Sequence, residues 1–176
     1  NCLVRILVRD AQKVSEQPWA SQVEIVEGNA NSPSDLRRAL SGVHTAFYLL
    51  HSINAGKNFD EVESAMAKNF AESAQAENVS QIVYLGGIAN DQNRSQHLAS
   101  RMNTGALLAS GKVPVLELRA GIIIGSGSAS FEMLRHLTHR LPIMTTPKWV
   151  SNLTQPISIR DALYYLRKCA TLPNPV

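Results

Sequence analysis

Apolar positions in this chain follow two periods that take turns. CLVRILVR (2–9), VEIV (23–26), VHTAFYLL (43–50), residues 81–85 and VPVLELR (113–119) are short, β-branched apolar runs, and each predicts a strand. GIII (121–124) extends the last of these, and PISI (156–159) is a short extended piece. Between the runs the period lengthens. Phe59, Val62, Met66, Phe70 and Ala74 recur at steps of three and four, on one stripe of a helix over 59–77. Residues 32–40 predict a shorter helix. Ser32 suits its N-cap, Pro33 its first position and Asp35 its third, where a carboxylate meets the helix dipole. Gly42 closes it. Further helices are expected over 94–110, around Phe131, Leu134, Leu137 and Leu141, and over 161–170. Gly105 weakens the first of the three.

Strand and helix alternate with short connections, which predicts a doubly wound parallel α/β sheet in one domain over 1–176. The run from Ala46 to Leu50 is apolar throughout, as in a strand buried on both faces. Composition narrows the function classes. A net charge of +3, with Lys and Arg scattered, gives no footprint for nucleic acid. No apolar run approaches the ~20 residues that span a bilayer. Cys2 and Cys169 sit at opposite ends and match no metal-ligand spacing, which fits a reducing, cytoplasmic compartment and no metal site.

Two stretches carry candidate chemistry. HLASR (97–101) sets His97 and Arg101 four apart, on one face of a helix. A histidine can exchange a proton near neutral pH, and an adjacent guanidinium favours its neutral form. GSGSAS (125–130) half-imitates a dinucleotide fingerprint, but its third position is Ser130 and it follows the fifth strand rather than the first. Two readings of it stand. Gly125, Ser126, Gly127 and Ser128 can offer donors to an anion, or Ser128 or Ser130 caps the next helix.

Taken in order, VRILVRD, VEIVEGNANSPSDLRRAL, VHTAFYLLHS, VSQIVYLGGIAN, VPVLELRAGIIIGSG and QPISIRDAL resemble the atypical short-chain dehydrogenase/reductase family, in its NmrA-like and nucleoside-diphosphate-sugar epimerase-like branch. The resemblance covers essentially the whole chain and implies a Rossmann-like NAD(P)-binding domain. That family opens with a strand, a Gly-rich phosphate turn and a helix, which have no counterpart here. The resemblance therefore implies a fragment: the middle of a longer protein, without the first strand-turn-helix and the C-terminal elements.

The resemblance also assigns residues. Arg9 occupies the strand end that faces the adenosine ribose, where a guanidinium pairs with the 2′-phosphate of NADP and an acid selects NAD. Asp10 beside it leaves NAD open. Asn29 stands near the adenine, and Leu49, Leu50 and His51 where the backbone passes the cofactor. The family's serine is replaced by Gly86-Gly87, and its Tyr-x-x-x-Lys by His97 and Arg101, with Arg101 also toward the cofactor ribose. Ala120 and Gly121 stand where Arg-Pro-Gly is common, beside the nicotinamide. Ser126, Ser128 and Trp149 are implied to line the substrate side. Two functions follow. One is an oxidoreductase or epimerase-like enzyme on a small molecule, with altered catalytic residues. The other is a noncatalytic, NADP-sensing module that regulates a protein partner. A homodimer through helices 59–77 and 94–110 is a further implication.

Overall fold

A computed structural model describes residues 2–50, 59–88, 96–125, 128–140 and 153–172. The elements follow the alternation of periods: β1 (Arg5–Val8), α1 (Ala11–Ser15), a 3-10 turn (Ala20–Gln22), β2 (Glu24–Glu27), α2 (Pro33–Leu40), β3 (Thr45–Tyr48), α3 (Phe59–Ala76), β4 (Gln81–Gly87), α4 (Gln96–Ala109), β5 (Val115–Ala120), β6 (Ile123–Ile124), α5 (Ala129–Arg140), β7 (Ile157–Ser158) and α6 (Ile159–Cys169). Every strand pairing among the described residues is parallel, and the fold is Rossmann-like α/β. The strands form three ladders among the described residues: β1-β2, β3-β4-β5 and β6-β7.

Local chemistry explains the element ends. The Ser32 hydroxyl accepts the amide of Asp35 and Pro33 opens α2, as the sequence predicts. Gly42 beyond α2 takes φ +71°, a left-handed turn that glycine tolerates. Asn78 takes φ +56° after α3, and the Val79 amide turns back to the Ala74 carbonyl. Ser158 caps α6 by accepting the amide of Asp161. One short helix is not signalled by any apolar period. In α1 only Val14 is a large apolar residue, and the helix starts because the Asp10 carboxylate accepts the amides of Gln12 and Lys13.

The core lies where α2, α3 and α4 pack on one face of β3 and β4. Leu36, Leu40, Ala46, Tyr48, Ala67, Phe70, Ile82, Tyr84 and Leu108 are buried together. Tyr48 meets Phe70 and Tyr84 edge-on, with ring centroids 5.0 and 6.0 Å apart. Phe59, Met66, Phe70 and Ala74 of the predicted stripe are buried, and Val62 is half-buried.

Two expectations are corrected. The third strand covers only four residues, and it is not buried on both faces: Ala46 and Tyr48 face the core, whereas Phe47 remains 39% exposed. On that opposite face the C-terminal turn of α6 meets the first residues of the ladder. The Gln81 side-chain amide donates to Thr45 and to the carbonyls of Cys169 and Ala170. The segment 121–124 does not prolong β5 but forms the separate strand β6, paired with β7.

Candidate functional site

Parallel strands bring their carboxyl ends to one side of a sheet, and loops there collect ligand-binding groups. Two groups of predicted residues form at such ends. The first is on the β1-β2 ladder. Arg9 is exposed just past β1, and the Gly28 amide donates to the Val8 carbonyl at 2.8 Å, so Arg9 and the Gly28-Asn29 turn are neighbours. Asn29 is held at both sides of its peptide. Its amide donates to Asp35 Oδ2 at 3.0 Å, and its side-chain oxygen accepts the Asn31 amide at 3.0 Å. The Asn29 amide is the main reason that the Asp35 carboxyl is held below its ordinary value, with Arg38 and Ser32 adding to it against desolvation. A Cβ at Gly28 would lie 2.8 Å from the Asp35 Cβ and 3.1 Å from Leu7 Cδ1, so glycine lets α2 sit close beneath this turn.

Asp10 has a defined task here. Its carboxylate caps α1 and pairs with Lys13 at 3.3 Å. Glu27 is occupied in the same way, accepting the Ala11 amide. The two acids nearest Arg9 thus point their oxygens into the start of α1.

The second group is on the β3-β4-β5 ladder. Gly86 lies beside Arg119 and Gly87 beside Ala120 in register, and the Ile88 amide prolongs the ladder to the Ala120 carbonyl. Leu49 and Leu50 follow β3 and are exposed. Arg101 reaches this end from α4. Its Nη2 donates to the Leu85 carbonyl, and its aliphatic stem lies against Gly87, 3.7 Å from where a Cβ would be. The Tyr84 hydroxyl donates to the Arg101 carbonyl at 2.8 Å and ties α4 to β4 at that residue. Burial pushes the Tyr84 phenol up, only partly offset by Arg101, so it stays neutral and serves as a strut.

Glu117 was not singled out in the sequence and turns out to shape this end. Its carboxylate bonds Arg119 at 2.9 Å. A Cβ at Gly86 would meet Glu117 Oε1 at 2.6 Å, and one at Gly105 would meet it at 3.2 Å. Both glycines make room for the same carboxylate and for the Tyr84 ring, which explains a glycine inside α4 that helix propensity disfavours. The readable signal was a lone acid within the apolar run VPVLELR.

The remaining candidates fall elsewhere. Gly121 lies against the backbone of Gln155. Ser128 is the helix cap of α5: its hydroxyl accepts the Phe131 amide at 3.4 Å. His97 lies in α4, one turn before Arg101, and its side chain is outside the described residues. His51, Ser126 and Trp149 also lie outside the described residues. Among the described residues, no cluster of three His, Cys, Asp or Glu could hold a metal, and no helix is long and apolar enough to cross a membrane.

A family model described as NAD(P)H-binding matches residues 2–112. Among solved structures, the fold is similar to the triphenylmethane reductase of Citrobacter sp. complexed with NADP(H), at 22% identity and TM-score 0.59, covering 77% of this chain and 45% of that one. It is likewise similar to the NADPH-dependent quinone oxidoreductase of Escherichia coli complexed with NADPH, at 21% identity and TM-score 0.59, covering 77% and 44%. The Bordetella bronchiseptica enzyme WbmG, in complex with NAD and UDP, matches at 13% identity and TM-score 0.74, covering 99% and 62%. At such identities the likeness is one of fold. The chain spans less than half the length of the two reductases. No curated protein matches the sequence.

Proposed function

The chain belongs to the NAD(P)H-binding family, and on that premise we propose that it is the dinucleotide-binding core of an atypical short-chain dehydrogenase/reductase that prefers NADP(H) to NAD(H). The observation that carries the preference is the placement of charge at the end of β1. Arg9 is exposed there, while Asp10 and Glu27 direct their carboxylates to the amides that open α1. An acid that would accept from a ribose 2′-hydroxyl is engaged elsewhere, and a guanidinium suited to a 2′-phosphate is presented. Asn29 beside it can offer its side-chain amide to an adenine edge.

The groups described here fit the two ribose ends of a dinucleotide: Arg9 and Asn29 at one, Arg101 with the Gly86-Gly87 backbone at the other. None of them is a glycine-rich phosphate turn. When bound, NADPH supplies the hydride for a reduction. This chain's own part is to place Arg101 over the strand end through the Tyr84 strut, and to hold His97 one turn away on α4 as the group that exchanges a proton with a substrate oxygen. On this reading the full protein is an oxidoreductase or epimerase-like enzyme acting on a small molecule.

A second reading, a noncatalytic NADP-responsive module with a protein partner, is favoured by one feature. Gly86 stands where the family's serine is expected, and Glu117 fills the space that a side chain there would need. A substrate-orienting hydroxyl cannot be accommodated at Gly86 without moving Glu117. Turnover of NADPH with a carbonyl or quinone substrate, abolished in His97→Phe, supports the enzyme. Partner binding altered by NADP+ with no turnover supports the module.

The cofactor reading is tested with Arg9→Ala in the full polypeptide by calorimetry. NADP+ affinity is expected to fall about tenfold or more, since a charge-assisted phosphate contact is worth roughly 1.5–3 kcal/mol. NAD+ affinity is expected to stay within about twofold. An equal loss for both cofactors rules out Arg9 as the phosphate-reading group.

A further inference from the structure

Glu117 is an unusual occupant of its place. It stands in the middle of β5, beside Tyr84 in register, with its side chain only 22% exposed. An apolar residue of similar size would fill the same space without taking a charge out of water. Two glycines yield to the carboxylate instead: Gly86 near the end of β4, and Gly105 inside α4, where helix propensity disfavours glycine. Packing gives no reason for an acid here. Its partner does. Among the described residues the carboxylate has one hydrogen-bond donor, Nη2 of Arg119, at 2.9 Å. An ordinary exposed ion pair is worth little and needs no half-buried acid to make it.

Arg119 is two residues nearer the carboxyl end of β5, so it shares the α4-covered face with Glu117. It lies opposite Gly86 in the β4-β5 register. No side chain of residues 86 and 87 fills the space beside it, because both are glycine. The Arg101 stem lies against Gly87, and its Nη2 is turned to the Leu85 carbonyl. The Arg119 side chain is 56% exposed. Its bond to Glu117 uses one of five N–H groups, and among the described residues no other acceptor meets it. A guanidinium held at one nitrogen and open at the others is prepared for an oxyanion. Its planar fork gives a carboxylate or a phosphate two parallel bonds.

We propose that Arg119 anchors the substrate, that Glu117 positions it, and that the substrate is an acidic small molecule whose carboxylate or phosphate is received beside Gly86. The inference rests on the reading that the Gly86–Gly87 strand end is the reacting end of the site. It also answers the loss of a side chain at Gly86. A hydroxyl there would orient the substrate by its reacting oxygen. Arg119 orients it by a charged group instead, and Glu117 occupies the space that the hydroxyl would need. The same carboxylate that excludes one orienting group therefore holds the other in place.

The test is nuclear magnetic resonance on the full polypeptide, with and without saturating NADP+. The Nε–Hε signal of Arg119 and the amides of Gly86 and Gly87 are followed as acetate or inorganic phosphate is added, with sodium chloride at equal ionic strength as the blank. Saturable shifts are expected with acetate, phosphate or both, and the anion that acts names the acid. Affinity is expected to fall about tenfold or more in Arg119→Gln, and likewise in Arg119→Lys, which keeps a charge beside Glu117 but not the fork. Relaxation of Nε is expected to show a side chain about as rigid as the backbone in the parent and a mobile one in Glu117→Ala. Shifts no larger than those with chloride, or equal affinity in the Arg119 variants, overturn the proposal. A mobile Arg119 in the parent overturns the role of Glu117. NADP+ binding is read in the same samples from the Asn29 amide. Intact NADP+ binding without an anion response sinks this inference alone. An anion response without NADP+ binding sinks the cofactor reading and leaves Arg119 as an anion site.

Discussion

The β3-β4-β5 ladder and the β1-β2 ladder are built to different standards of burial. In the former, Tyr48, Ile82, Val83 and Tyr84 are 0–2% exposed and are held by aromatic edge contacts and by α3 and α4. In the latter no residue is fully buried, and the polar contacts are ion pairs and caps: Arg5 with Glu24 at 2.8 Å, Lys13 with Asp10, and Glu27 on the Ala11 amide. The difference separates two tasks. The well-packed ladder holds Arg101 and the Gly86–Gly87 strand end, which the proposed function assigns to chemistry that needs precise placement. The half-buried ladder presents Arg9 and Asn29, which the proposed function assigns to the adenosine end of the cofactor.

The comparison is broken most severely by truncating one side chain in each ladder. Tyr84→Ala is expected to destabilise the fold by about 3–5 kcal/mol, as for other large buried aromatics. Ile25→Ala in half-buried β2 is expected to cost about 1–2 kcal/mol. Urea denaturation compares the two, and equal costs would erase the distinction. Gly86→Ala comes next. It brings a methyl to the Glu117 carboxylate and is expected to cost about 1–3 kcal/mol by overpacking. The same change in a Glu117→Ala background is expected to cost less by about 1 kcal/mol or more, because the two sites share one contact. Additive effects in that cycle would mean that Glu117 does not set the glycine.

The smallest expected effect lies on the polar side. The folded carboxyl of Asp35 is held below its ordinary value of 3.8, chiefly by the Asn29 amide. A depressed carboxyl contributes stability above its unfolded pKa and loses it as pH falls through the folded value. Thermal midpoints are therefore expected to drop more steeply below about pH 4 in the parent than in Asp35→Asn. Parallel curves would show that the Asn29–Asp35 bond is not maintained in solution.

Much of the better-packed region was legible in the sequence. The stripe through Phe59, Met66, Phe70 and Ala74 follows the helical period, and the cap chemistry of Ser32 and Pro33 depends on neighbours three residues apart. What was not legible depends on distant partners. Glu117 reads as an oddity in an apolar run until α4 is laid over it, when Gly86 and Gly105 become parts of one arrangement. The short helix after Asp10 has no apolar period to announce it, so Asp10 looked like a competitor to Arg9 at the ribose position. In the structure it is a cap. Phe47 sits in a run that looks two-sided, and its exposure depends on which elements reach that face of β3, a matter of topology. The four-residue spacing of HLASR tells only that positions 97 and 101 share a helix face; that Arg101 reaches the Leu85 carbonyl depends on how α4 packs on β4.

The most direct test of the central claim is the binding of NADP+ and NAD+ to the full polypeptide by calorimetry, side by side. The account predicts that both bind at one site, with NADP+ tighter by about tenfold or more. Binding of neither would contradict the cofactor assignment, and tighter binding of NAD+ would contradict the role given to Arg9.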